Sequence, residues 1–111
     1  MEYEYVMMKL TSGEDIICVL IDINEHSFTV MFPLSMKRVS LDGLKETIAG
    51  TSWCQYTDEN VFTVFRNDVM IIAPLNQRTI EYYKKLVDLS ELDEYLDEDN
   101  EYHPNPLATV H

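Results

Sequence analysis

The sequence predicts a mainly β fold: a strongly bent antiparallel small barrel, five-stranded or with one strand more, followed by a C-terminal α-helix. Three observations carry this. Short apolar runs with period-two alternation or β-branched side chains recur between turn-forming clusters as far as residue 73. After Pro74 the apolar period lengthens to that of a helix. At 111 residues the chain has room for one domain.

Residues 3–10 alternate, with Val6, Met8 and Leu10 on one face, and read as the first strand. Thr11-Ser12-Gly13-Glu14-Asp15 is a polar turn with a glycine available for positive φ. Residues 16–23 are rich in β-branched side chains and form the second strand. Asn24-Glu25-His26-Ser27 is a short hairpin loop. Residues 28–39 form a third strand, with Phe28, Val30, Phe32 and Leu34 expected on one face and Pro33 marking an edge or a bend. Residues 40–51, with Gly43 and Gly50, read as a loop, and residues 52–57 around Trp53 and Tyr56 as a strand. Two further strands follow, at 61–65 and 69–73, separated by the tight turn Arg66-Asn67-Asp68. Asn76 can cap a helix whose stripe is Ile80, Tyr83, Leu86 and Val87. Ser90 and Asp93 resemble a capping pair before a short acidic turn of helix with Leu92, Tyr95 and Leu96. The domain reading is a barrel over residues 1–75, a helical segment over 76–96 packed on or beside it, and an acidic, flexible tail over 97–111.

The stretch 69–73, Val-Met-Ile-Ile-Ala, is apolar on both faces, whereas a half-exposed antiparallel strand alternates. Its outer side needs a cover, either the helix or a neighbouring subunit. A domain of this size also buries a modest share of its surface, so self-association is a common supplement.

The net charge is −12, and eight of the acids lie in residues 88–111, which hold no Lys or Arg. Such a field repels nucleic-acid phosphate and favours solubility. Lys37, Arg38 and Lys45 form the one local basic cluster of the barrel region. No apolar run reaches a membrane span and the first residues lack the basic region of a signal peptide, so a cytoplasmic protein without a membrane partner is expected. Cys18 and Cys54 do not form a metal or redox spacing and read as buried fillers. His26, His103 and His111 do not form a metal-ligand spacing. No nucleophile–base pair or phosphate-cradling glycine loop stands at useful spacing, and neither enzyme chemistry nor a cofactor is expected.

Two motifs carry a family resemblance. Leu10-x-x-Gly13-x-x-Ile16-x-x-x-Leu20 resembles the first half of the first Sm motif. Phe65-Arg66-Asn67-Asp68-Val69, followed by Ile71-Ile72, resembles the second. The chain thus resembles the Sm/LSm-like (Hfq-like) superfamily over roughly residues 5–87. Leu10-Thr-Ser-Gly-Glu-Asp-Ile-Ile, the Trp53 to Tyr56 segment and Ile-Ile-Ala-Pro before a Tyr-bearing helix resemble, more narrowly, small Sm-like proteins of marine tailed phages (cyanophages). There are departures. Cys18 stands where the family pattern has a glycine at the bend of the second strand, Asn67 replaces the glycine after the family's Arg, and the helix follows the barrel instead of preceding it.

The resemblance implies a non-enzymatic, ring-forming module that meets single-stranded RNA, with itself as a partner in a cyclic homo-oligomer. It implies an RNA site made by an Asp and a later Asn in the loop between strands two and three, and by the Arg of the second motif. Asp22 fits the Asp if two residues are deleted, which puts His26 at the Asn; without the gap Asn24 and Phe28 take those places. Arg66 and Asn67 complete the candidate set. Against this, the Asp, Asn and Ser residues around Asp22, Asn24 and His26 suit turn chemistry, Phe28 suits the core, and Arg66 suits a surface turn paired with Asp68. Trp53 and Tyr56 suit either an aromatic binding surface or strand packing. A different class remains open: a phage structural or adaptor protein whose ring contacts a protein partner and no nucleic acid.

Overall fold

A computed structural model of the chain describes residues 3–40, 43 and 46–88. The strands are β1 (Glu4–Leu10), β2 (Asp15–Ile23), β3 (Ser27–Ser40), β4 (Glu46–Ser52), β5 (Val61–Phe65) and β6 (Val69–Pro74), and α1 (Gln77–Leu86) follows. The sheet runs β4-β3-β2-β1-β6, all antiparallel, and β5 pairs with β3. A single 3-10 turn, Arg66–Asp68, carries the chain from β5, on the first half of β3, to β6, on β1. That short link joins distant parts of the sheet and curls it into a strongly bent barrel.

Alternation in β1 places Val6, Met8 and Leu10 in the barrel interior, with Ile16, Cys18 and Leu20 of β2, Phe28 and Val30 of β3, and Phe62 and Val64 of β5. Gly13 turns the chain between β1 and β2 at φ 93°, a conformation that costs glycine little. The odd residues of β2 are buried too. Ile17, Val19 and Ile21 form a second cluster with Met31, Leu34 and Tyr83 of α1. The helix begins at Asn76, whose side chain accepts the Thr79 N–H at 2.9 Å. Its buried Tyr83 donates its hydroxyl to the Phe32 carbonyl at 2.7 Å.

Three expectations change. Phe28, Val30, Phe32 and Leu34 do not share a face. Phe32 takes φ 50°, and an extra residue of β3 between the Ile17–Leu34 and Val19–Met31 pairs turns Leu34 to the helix side. Within the predicted 40–51 loop, β4 pairs six positions with β3, and Ser52 makes a seventh. Gly50 sits in that strand because a Cβ there would lie 3.1 Å from Met36 Sδ and 3.2 Å from Leu86 Cδ1. Residues 53–57, predicted as strand, instead form bends and turns that leave Tyr56 fully exposed. The second face of β6 is not covered by α1: Met70, Ile71 and Ile72 are 62%, 51% and 38% exposed. The second predicted helical turn, at 90–96, and the tail lie outside the described residues. Among the described residues, no helix is long and apolar enough to cross a membrane.

Candidate nucleic-acid interface

The β2–β3 loop is built by Asn24. Its Oδ1 accepts the backbone N–H groups of His26 at 2.9 Å and Ser27 at 2.8 Å, an Asx turn, and its own N–H donates to the Ser27 carbonyl. Just before it, Asp22 is exposed, and its Oδ1 accepts the Ile23 N–H at 3.0 Å.

Arg66 reaches this loop from the other motif. Its backbone N–H donates to the His26 carbonyl at 2.9 Å and its Nε–H to the Asn24 carbonyl at 2.8 Å. The guanidinium lies over the Phe28 ring, 4.7 Å from the centroid. Asn24, His26, Phe28 and Arg66 therefore meet at one corner, with Asp22 on the strand leading in and Asn67 next along the turn. Two details bear on the alternatives. Phe28 is 7% exposed, a core ring roofed by Arg66, so the stacking face at this corner is the guanidinium plane. Arg66 does not pair with Asp68; its side chain holds the β2–β3 loop instead.

A guanidinium has five N–H donors, and among the described residues only the Nε–H is committed, to the loop. The exposed group keeps donors and a planar face for a nucleobase or a carbonyl. Elsewhere, Arg38 stands 3.7 Å from Glu46, so one member of the basic cluster already faces an acid, and Lys45 lies outside the described residues. Among the described residues no group of His, Cys, Asp and Glu side chains is placed to hold a metal ion.

A second concave region was not legible as a motif. Glu14 accepts the Ser35 hydroxyl at 3.0 Å and the Trp53 indole N–H at 3.3 Å. Trp53 packs edge-on to Phe62, with centroids 6.2 Å apart. Beside them opens a cavity of about 370 Å³. Burial, and then the charge of Glu14, push the Cys54 thiol above its ordinary pKa. Burial alone pushes up Cys18. Thiols held neutral are poor nucleophiles.

The family model of the Sm-like domain matches residues 7–84, from Met7 in β1 to Lys84 in α1. The chain belongs to the Sm-like family. No curated protein matches it in sequence. In this Sm-like domain the two motif stretches are physically joined: the Thr11 N–H donates to the Asp68 carbonyl at 2.9 Å, and Leu10 pairs with Val69. The helix, placed after the strands, serves as the cover of β2 and of the bend in β3.

Proposed function

We infer that this Sm-like domain is a non-enzymatic, ring-forming module that binds single-stranded RNA weakly, through bases more than phosphates. The observation that carries the reading is Arg66, which ties the second motif to the β2–β3 loop while keeping guanidinium donors exposed. Self-association is supported by β6, an outer strand with Met70, Ile71 and Ile72 exposed. An uncovered apolar edge is a template for pairing, and closure into a ring removes it. A ring also multiplies modest sites along one strand. The narrower likeness to Sm-like proteins of marine tailed phages supports a role in the cytoplasm of an infected host cell.

The charge sets the character of the binding. Even without residues 88–111 the chain holds 12 acids against 8 bases, so phosphate attraction contributes little. The salt dependence should be shallow. In fluorescence anisotropy with U-rich and A-rich single strands at low salt, deleting residues 88–111 should tighten binding by removing eight negative charges per subunit. Arg66→Ala should weaken it by about tenfold, the loss of a charged hydrogen bond and a stacking face. A truncated protein without affinity for either strand sinks the RNA reading. The acidic balance then favours the second reading, a phage structural or adaptor ring that contacts a protein.

A further inference from the structure

The cavity beside Trp53 shares no residue with the Arg66 corner. Its walls come from the β1–β2 turn, Trp53 and Cys54, β5 and the 3-10 turn. Trp53, Phe62 and Phe65 supply aromatic surface, Leu10 and Val64 aliphatic surface, and Glu14 and Asp68 two carboxylates. No Lys, Arg or His lines it.

Among the described residues the charges in this wall have no counter-charge. Both hydrogen-bond partners of Glu14 are neutral, the Ser35 hydroxyl and the Trp53 indole. Among the described residues the Asp68 carboxylate has no hydrogen bond or ion pair; only its backbone carbonyl is used, by Thr11. Glu14 makes its field felt at the Cys54 thiol, which faces the same space. Aromatic faces carry partial negative charge and add to the attraction for a cation. A planar guanidinium suits such a wall, because it stacks on an aromatic ring while its N–H groups reach carboxylates. A volume of about 370 Å³ is at the small end for ligand pockets and fits a charged head on a short stem.

We propose that this cavity binds an organic cation, a guanidinium or ammonium group on an aliphatic stem, with its charge between Glu14 and Asp68 and its stem along Trp53. The site is independent of RNA binding and repels phosphate. The cation can be a free amine or the Arg or Lys side chain of a protein partner.

Trp53 is the only tryptophan of the chain, so its fluorescence reports directly on the cavity. Titration of the full chain with agmatine at low salt should change Trp53 emission saturably, and the neutral analogue N-butylurea should not. Glu14→Gln should weaken agmatine by about tenfold and Asp68→Asn, at a more exposed position, by about threefold. Among the described residues Asp68 makes no side-chain bond, so Asp68→Asn keeps a folded test in hand if Glu14→Gln proves unstable. The proposal is overturned by the absence of saturable binding in both fluorescence and calorimetry, or by equal binding of the neutral analogue. Unchanged affinity in a folded Asp68→Asn or doubly substituted protein overturns it as well. A blocked, Arg-centred pentapeptide separates the sources: about tenfold tighter binding than agmatine assigns the site to a protein partner, and equal binding to a small amine.

Discussion

β2 and β6 are alike in sequence and opposite in their surroundings. Both are apolar on two faces. In β2 the even residues Ile16, Cys18 and Leu20 fill the barrel and the odd residues Ile17, Val19 and Ile21 lie beneath α1, all of them 6% exposed or less. In β6 the middle residues Met70, Ile71 and Ile72 are exposed. The helix is long enough to cover one strand's outer face, and it covers β2 and the bend of β3. A doubly apolar strand therefore reports a cover without saying which. In β2 the cover is intramolecular and contributes to folding. In β6 what is left over is available for association. The difference can be tested by removing the cover, by charging what lies beneath it, and by altering the open strand, in falling order of effect on folding free energy.

Removing the cover should have the largest effect. Tyr83 is fully buried, sits in the cluster with Ile17, Val19 and Ile21, and bonds the carbonyls of Phe32 and Met31. Tyr83→Ala opens a cavity and leaves those carbonyls without their partner, a loss of about 3–5 kcal/mol by analogy with other large aromatic truncations. Urea unfolding measures it. A loss below about 1 kcal/mol would mean that α1 is not the cover of β2.

The same contrast shows what the sequence made legible. Period-two alternation identified Val6, Met8 and Leu10 as interior, because a local pattern reports a local geometry. The helix and its Asn76 cap were legible for the same reason. β4 was not: Gly50 reads as a loop residue until Leu86, from α1, is seen to occupy the space beside it. Phe32 was read as one step in an alternation, yet it takes a positive φ while its carbonyl accepts the Tyr83 hydroxyl, a bond made 51 residues away. At the Arg66 corner, motif spacing pointed to Arg66 and the β2–β3 loop. It did not show that Phe28 lies under the guanidinium or that the Asn24 side chain is spent on its own turn. The Trp53 cavity was invisible, since Glu14, Ser35, Trp53 and Phe62 come from four separate stretches of chain.

Charging the buried strand is the next largest perturbation. Cys18 lies in the middle of β2 with no exposed surface, and desolvation raises its thiol pKa well above the ordinary value. The folded state thus favours the neutral thiol. Its contribution is fully present below the unfolded thiol's pKa of about 8.5 and is lost as pH rises above that value. The slope should be about 1.4 kcal/mol per pH unit above that point, with buried Tyr83 adding a term of the same sign above pH ~10. Denaturant midpoints between neutral and alkaline pH would show it, and Cys18→Ala should flatten the first part of the decline. An unchanged slope in that variant would place the titrating group elsewhere. β6 has no titratable side chain, so association through it, as proposed, should not share this pH dependence.

The smallest effect on folding is expected at the open strand, and there the readout changes from stability to assembly. Met70 is 62% exposed and belongs to a strand that pairs with β1 on one side only. Replacing it with Lys removes little buried area, so folding free energy should move by no more than about 0.5 kcal/mol. An edge strand that carries Lys is a poor template for another chain, because pairing would desolvate the ammonium. Light scattering across micromolar concentrations should then show wild-type oligomers and Met70→Lys monomers, and at concentrations low enough to dissociate the wild type the urea midpoints of the two proteins should be nearly equal. If Met70→Lys stays assembled, self-association does not run through this part of β6, and its apolar face answers to some other partner. If it unfolds, β6 is covered within the fold after all and its likeness to β2 extends to its surroundings. Monomers of near wild-type stability are the one outcome in which two similar strands serve different ends, β2 in folding and β6 in association.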